Sequence, residues 1–305
     1  MRPDPAAPTP CARTAPAASI AAAPNARIRP PIASRPLETG LEGNPMRIAT
    51  WNVNSVRARR RHLLDWLGRP DAPDIVLLQE LKTEEAAFPA MEVRAAGYHA
   101  LVVGQKGYNG VAILSRAPAV ERLRALPGDE ADNQARYVEA ECGGLIVACV
   151  YCPNGNPVGS AKFAYKLAWM DRLARHAETL FATERPVVIG GDWNICPTAE
   201  DAWDEKAMAA DALCQPESRA AWRRLIWAGW TDSWRALNPP PARGYTYWDY
   251  QGGAWAQDHG LRIDALVLSP VAAERLAAAG VDRAPRALDG ASDHTPVWCE
   301  LDDAA

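Results

Sequence analysis

The stretch Val187-Val188-Ile189-Gly190-Gly191-Asp192-Trp193-Asn194 constrains this chain more than any other. Branched apolar residues in so short a run make a strand buried on both faces, and paired glycines let other backbone approach closely. The run then ends in a carboxylate and a carboxamide. Asp192 and Asn194 are two apart, so in extended chain both side chains point the same way. An acceptor and a neutral donor–acceptor aimed at one point suit a water held beside a phosphate or a metal. Taken alone, the pattern reads equally as a strand end with an Asx turn before Pro197. Matching chemistry at other strand ends decides between the two.

From Met46 the signals alternate. Strands are expected over 47–52 and 74–80, with a helix over 57–67 between them whose apolar flank is His62, Leu63, Leu64, Trp66 and Leu67. Residues 98–103 and 111–114 read as paired strands around Gly107-Tyr108-Asn109-Gly110, and 137–141 with 145–151 as a hairpin around Gly143-Gly144. A long helix is expected over 161–181 and another over 217–228, with Trp222, Leu225 and Ile226 at core spacing. Later strands are expected at 245–248, 263–268 and 297–301. Hairpins mixed with crossovers predict a layered α/β domain from 46 to 305, with no repeat and no internal linker.

Residues 1–45 differ. They are dominated by Pro and Ala without apolar periodicity, so they are expected to be a disordered tail. Their arginines imitate a transit peptide, but the prolines oppose an amphipathic helix; organelle targeting by the tail stays open. Met46 opens a strand pattern directly and is a candidate translation start. Five arginines and three carboxylates lie in the tail, which leaves the body 28 Lys+Arg against 34 Asp+Glu. A body this acidic does not hold a polyanion by net charge, so a nucleic acid would need local basic patches and metal. No apolar run approaches the roughly 20 residues that span a bilayer. Seven scattered cysteines fit a reducing, cytoplasmic setting better than a disulfide framework. Cys149 and Cys152 form a C-x-x-C inside a strand, where positions three apart face opposite ways, and both read as core residues.

Polar groups close several strands: Asn52, Glu80, Asp192, Asn194, Asp264 and the pair Asp293-His294. Such groups at separated strand ends are how an α/β sheet assembles a site. Carboxylates and carboxamides are hard ligands that suit magnesium, with manganese as a substitute, and no zinc spacing competes. Each has a bland alternative. Asn52 would cap the following helix, Glu80 would be a solvated strand end, and Asp264 would pair with Arg262. Asp293-His294 would be an N-cap turn, or else an Asp-oriented imidazole exchanging protons near neutral pH.

The residues from Met46 to Leu301 resemble the exonuclease III family of apurinic/apyrimidinic endonucleases, within the endonuclease/exonuclease/phosphatase superfamily. The matching blocks are Thr50-Trp51-Asn52-Val53-Asn54, Leu77-Leu78-Gln79-Glu80-Leu81-Lys82, the run from Gly104 through Gly110 to Leu114, Tyr151-Cys152-Pro153-Asn154-Gly155, Gly190-Gly191-Asp192-Trp193-Asn194, Gly260-Leu261-Arg262-Ile263-Asp264 and Ser292-Asp293-His294-Thr295-Pro296-Val297. Leu81 stands where the family usually has Thr, and Ser55 where it usually has Gly.

The resemblance implies a four-layer α/β sandwich, two mixed sheets flanked by helices. It implies a monomeric DNA repair nuclease that cuts 5′ to abasic sites in duplex DNA, with 3′→5′ exonuclease and 3′-phosphatase activity. Glu80 is then the principal metal ligand, Asn52 lies beside it, and Asp264 or Asp293 contributes; Asp192, Asn194 and His294 border the same ion. Asp192, oriented through Asn194, aligns and deprotonates the water. His294, held in one tautomer by Asp264 or Asp293, binds the scissile phosphate, or alternatively is itself the base. Tyr151 donates to phosphate or to the leaving oxygen. One metal and two metals both remain open. Arg57, Lys106 and Asn154 fall in or beside the matched blocks and are candidate DNA contacts, whereas Arg60 and Arg61 read as a solvated helix face. Tyr247, Trp248, Leu261 and Ile263 are expected to line a small pocket for the flipped-out sugar. Tyr247 stands where the family usually has Trp. The same Asp-His machinery on a lipid or inositol phosphate is the competing enzyme class, and a non-catalytic DNA binder of this fold is the third.

Overall fold

The computed structural model of the chain describes residues 45–303. The tail reading therefore lies, but for Pro45, outside the described residues. Within them, the strands are β1 (Met46–Asn52), β2 (Ile75–Gln79), β3 (His99–Val103), β4 (Val111–Ser115), β5 (Val120–Leu123), β6 (Tyr137–Cys142), β7 (Leu145–Tyr151), β8 (Val187–Asp192), β9 (Thr231–Asp232), β10 (Asp264–Leu268), β11 (Leu276–Val281) and β12 (Val297–Leu301). They form two six-stranded sheets, ordered β11-β12-β1-β2-β4-β3 and β5-β6-β7-β8-β10-β9. Each sheet is mixed: β1–β2 and β7–β8 run parallel, while the other pairs run antiparallel.

Alternation along the strands sorts side chains into layers. Ile48, Ile75, Leu77 and Ile113 of the first sheet meet Val147, Cys149, Val188 and Leu266 of the second in the central core. On the outer face of the first sheet, Ala49, Trp51, Val76 and Leu78 pack on Leu63, Trp66 and Leu67 of α1 (Arg60–Leu67) and on Val93 of α2 (Ala90–Ala95). On the outer face of the second, Ile146, Ala148, Val150 and Ile189 pack on Trp169, Met170 and Leu173 of α3 (Ala161–Phe181) and on Trp222 and Leu225 of α4 (Pro216–Trp227). The result is the expected four-layer α/β sandwich. Cys149 joins the central core and Cys152 the outer one, so the C-x-x-C is two packing residues.

Glycine is required at two positions of β8, Gly190 where the first sheet and a neighbouring strand both press on it, and Gly191 where the adjacent β7 backbone does. A Cβ at Gly190 would lie 2.4 Å from Leu266 and 2.6 Å from Leu77, and one at Gly191 would lie 1.8 Å from the Val150 carbonyl.

The element boundaries, expected or not, have identifiable local causes. Helix α3 begins where expected because Ser160 caps it, its side chain accepting from the Phe163 N–H. Helix α1 begins at Arg60, because residues before it turn: Asn54 and Ser55 have φ of 42° and 84°, and the Val56 N–H pairs with Leu81 O. Arg57 is consequently an exposed loop residue. Ser55 holds a left-handed φ in which glycine is the relaxed choice, so the departure from the family's Gly carries strain. Residues 245–248 are not a strand. The N–H groups of Thr246 and Tyr247 converge on one carbonyl, Leu261 O, at 2.8 and 3.0 Å, a two-against-one arrangement that breaks a ladder. Strand β11 gives little signal in sequence, being half Ala with no β-branched residue before Val281, and forms at a sheet edge against β12 alone.

Candidate active site

The alternation that builds the central core also builds the site. In β1 the inward positions are Ile48, Thr50 and Asn52; in β8 they are Val188, Gly190 and Asp192; in β10, Asp264, Leu266 and Leu268; in β7, Val147, Cys149 and Tyr151. At one end of both sheets the inward residue turns polar. Register then sets neighbours within the second sheet, with Tyr151 beside Asp192 and Asp192 opposite Asp264. Across the gap, Asn52 Nδ2 donates to Asp192 Oδ2 at 3.0 Å and to Glu80 Oε1 at 2.9 Å. Glu80 leaves β2 with φ of 53°, a left-handed turn that throws its carboxylate over the strand ends. The phenol of Tyr151 donates to Glu80 Oε1 at 2.8 Å, and Lys82 pairs with Glu80 Oε2 at 2.7 Å.

His294 is held from three directions. Its Nδ1 bonds Asp264 Oδ2 at 2.8 Å, its backbone N–H donates to Ser292 Oγ, and its carbonyl accepts from Trp51 Nε1. Of the two tautomer-setting candidates, Asp264 takes the role. Asp293 turns away and accepts from Asn54 Nδ2 at 3.0 Å. Nor does Asp264 pair with Arg262, which bonds Asp201 and Asp232. The His294 Nε2 faces Asp192 Oδ2 at 3.8 Å.

The electrostatics follow. Burial opposes charge on His294, but Asp264 and Asp192 outweigh it and lift its pKa to about 10, so the ring is an imidazolium. Burial raises Asp192 to about 7; His294 works against this shift, and the carboxylates of Asp264 and Glu80 add to it. Burial also pushes Glu80 up, yet the hydrogen bonds from Asn52 and Lys82 prevail and hold it below the usual carboxylate range. Tyr151 is raised well above an ordinary phenol by burial and by Glu80 and Asp192, so it stays a proton donor.

Asn194 differs from expectation. Its φ of 50° takes it out of extended chain, and its carboxamide is engaged at both ends, donating to Cys152 O and accepting from Asn154 Nδ2 at 3.1 Å. It orients Asp192 through the main chain, its backbone N–H bonding Asp192 Oδ1 at 2.9 Å. The Asx turn and the functional carboxylate are thus one feature.

Ligand atoms of Glu80, Asp192 and His294 lie within 4.8 Å of one another. The donor set suits a hard divalent cation: two carboxylates with an amide alongside, and Asp264 Oδ1 buried without a partner. Glu80 is the ligand this arrangement favours, with the Asn52 amide beside it. His294 has one nitrogen spent on Asp264 and carries positive charge, which suits a phosphate oxygen better than a cation.

These residues sit on the wall of a cavity of about 740 Å3 that is also lined by Asn154, Tyr247, Leu261 and Ile263. Trp248 is not on that wall. It is wholly buried behind it, its Nε1 bonded to Asp258 and its ring edge-on to Tyr245 and Trp255. Arg57 and Lys106 are exposed and lie outside the cavity. Arg60 and Arg61 pair with Glu92 and Asp65, as a solvated helix face does.

Sequence reasoning assigned no role to Lys82, Lys166 and Trp203. Lys82 sits two residues after Glu80, and that spacing was the available signal. Lys166 is buried in α3 and donates to the carbonyls of Asn154 and Asn194 from beneath the site. Neither it nor Trp203, in an irregular segment, stands out in sequence.

Comparison with known proteins agrees with this geometry. A family model described as the endonuclease/exonuclease/phosphatase family matches residues 49–294. Exodeoxyribonuclease III of Haemophilus influenzae is 34% identical over 267 residues, covering 84% of this chain and 100% of that protein. Among solved structures, the 3′-5′ exonuclease NExo of Neisseria meningitidis has a TM-score of 0.82 at 38% identity, covering 85% of this chain and 100% of the other. An AP endonuclease from Archaeoglobus fulgidus has a TM-score of 0.80 at 32% identity, again covering 85% and 100%. With its two-sheet core, its strand-end carboxylates and a family match that runs from β1 to His294, the chain belongs to the endonuclease/exonuclease/phosphatase family.

Proposed function

We propose that the chain is a divalent-metal-dependent DNA repair nuclease, hydrolysing the phosphodiester 5′ to abasic sites in duplex DNA, with 3′→5′ exonuclease and 3′-phosphatase activity. The observation that carries this reading is the convergence of Glu80, Asp192 and His294 within 4.8 Å, each held by its own partners. Relatives matched over their whole length and bearing the names exodeoxyribonuclease III and AP endonuclease support the choice of DNA.

Phosphodiester hydrolysis needs an aligned water, charge neutralisation at the non-bridging oxygens and help for the departing oxygen. Asp192 is the acceptor for the water's proton. Both its oxygens are fixed, by the Asn194 N–H and by Asn52, and a pKa of about 7 sets it near working pH. His294 supplies fixed positive charge to a phosphate oxygen through Nε2. Tyr151, protonated, donates toward the phosphate or the leaving oxygen. Magnesium, held by Glu80 with Asn52 beside it, would supply Lewis-acid neutralisation of phosphate charge. Arg57 and Lys106 grip the backbone outside the cavity as sequence-independent contacts.

The test is a duplex with one synthetic abasic site, incubated with and without magnesium. Incision on the 5′ side that chelator abolishes is the expected result. Activity on a lipid or inositol phosphate with none on this duplex would replace the reading with a phosphatase.

A further inference from the structure

Three single bridges set four segments side by side along the cavity: His294 to Tyr247, Tyr247 to Leu261, and Leu261 to Ala202. Adjacent strands lie ~4.8 Å apart, so three steps carry the wall roughly 14 Å from His294 to Ala202. Trp203, next in the chain, is fixed there by its N–H on Gly260 O at 3.0 Å. Its ring stacks on His259, with centroids 3.9 Å apart and planes 13° from parallel. Both rings line the same cavity as Glu80, Asp192 and His294.

A bare deoxyribose does not need so much room. About 740 Å3 falls among pockets that enclose whole drug-sized ligands, roughly 300–1,000 Å3. The order of the wall divides a ligand into three parts. In the nuclease reading His294 faces a phosphate; Tyr247 and Leu261 come next along the wall, and the surface beyond them is a pair of flat rings. A planar, weakly polar group one sugar away from a phosphate is a nucleobase. Stacking on aromatic rings holds any of the four bases, because each has a π-face.

We propose that Trp203 and His259 form a nucleobase platform, so that the cavity takes a whole nucleotide with its phosphate at His294 and its base on the stacked rings. This gives the 3′→5′ exonuclease activity proposed above a seat for the base of the 3′-terminal nucleotide. The proposal rests on the nuclease reading above. The competing account is packing: Trp203 also touches two small hydrophobic clusters, one around Cys196 and Leu213 and one around Tyr245 and Trp248.

The experiment uses full-length protein and three duplexes: one with an internal abasic site, one with a recessed 3′ end bearing an ordinary nucleotide, and one with that end bearing only a 3′-phosphate. Trp203→Ala and His259→Ala are expected to lower nucleotide removal about tenfold more than they lower the other two reactions. Trp203→Phe keeps a ring and restores most of that ratio. If Trp203→Ala does not fold, the partly exposed His259 carries the comparison through its own variant. Equal losses on all three duplexes would overturn the platform and leave packing. A wild-type protein that cuts at abasic sites but leaves base-bearing ends intact would overturn it too. A wild-type protein inactive on all three overturns the nuclease reading itself.

Discussion

The carboxamide of Asn52, closing β1 in one sheet, donates to Asp192, closing β8 in the other, at 3.0 Å. The same group reaches Glu80 at 2.9 Å. One neutral side chain therefore holds two carboxylates from opposite sheets in a fixed relation, which their mutual repulsion would otherwise oppose. The precision of the site depends on how the sheets face each other, and any loosening between them is felt first here.

Removing a carboxylate should act on metal demand. Glu80→Ala is expected to raise the magnesium concentration needed for half-maximal incision, since Glu80 is ionised, partly buried among donors and is the proposed hard ligand. A magnesium titration reads this; an unchanged midpoint, or full wild-type activity in excess chelator, removes Glu80 from that role.

Asp192→Asn and His294→Ala are expected to slow incision by about 10²-fold or more each, because a positioned proton acceptor or a fixed cation is lost. DNA affinity, measured by anisotropy on an uncut abasic duplex, should largely survive. Near-normal rates for either variant would show that the roles are misassigned.

The pH profile has a worked-out sign. Asp192 must be deprotonated to accept a proton, so with a pKa raised to about 7 activity should climb as pH rises through that value. His294 must be protonated to neutralise phosphate, so with a pKa raised to about 10 activity should fall as pH passes through it. The expected profile of kcat/KM is a plateau between the two. A profile already flat from pH 5 upward would separate Asp192 from the proton transfer.

Trp248→Ala should behave as a core substitution. The side chain is fully buried behind the cavity wall, so the expected loss is ~3–5 kcal/mol of stability. Incision and exonuclease activity should decline together with it. Tyr247→Ala, on the wall itself and tilted over His294 with ring centroids 4.9 Å apart, should instead change the ratio of the two activities. The comparison is melting temperature against rate on both substrates.

Deleting residues 2–45 is expected to leave melting temperature and incision rate unchanged. β1 begins at Met46, the family match at residue 49, and every site residue lies beyond them. A large drop in either quantity on truncation contradicts this.

Much of this protein was legible without coordinates because period-two patterning and polar strand ends are local properties. The pattern Ile48, Thr50, Asn52 already says which face Asn52 takes, and Val187 to Asp192 already says that a buried strand ends in a carboxylate. The helix over 161–181 was legible because a Ser cap and a long apolar stripe lie next to each other in the chain. Other features are not local. Whether Asp264 or Asp293 holds His294 depends on register, Asp192 opposite Asp264, and on Asn54 drawing Asp293 away. Trp248 and Tyr247 are neighbours of similar chemistry, yet Tyr247 faces the cavity and Trp248 the cluster of Tyr245 and Ala254, a division set by what packs on either side of the segment. The shifted acidities of Asp192 and His294 arise only once four separate strand ends and one loop share a buried volume. The sequence by itself determined which strands end in chemistry; tertiary structure decided which of those ends meet, because distance and burial, not residue type, set the strength of an electrostatic interaction.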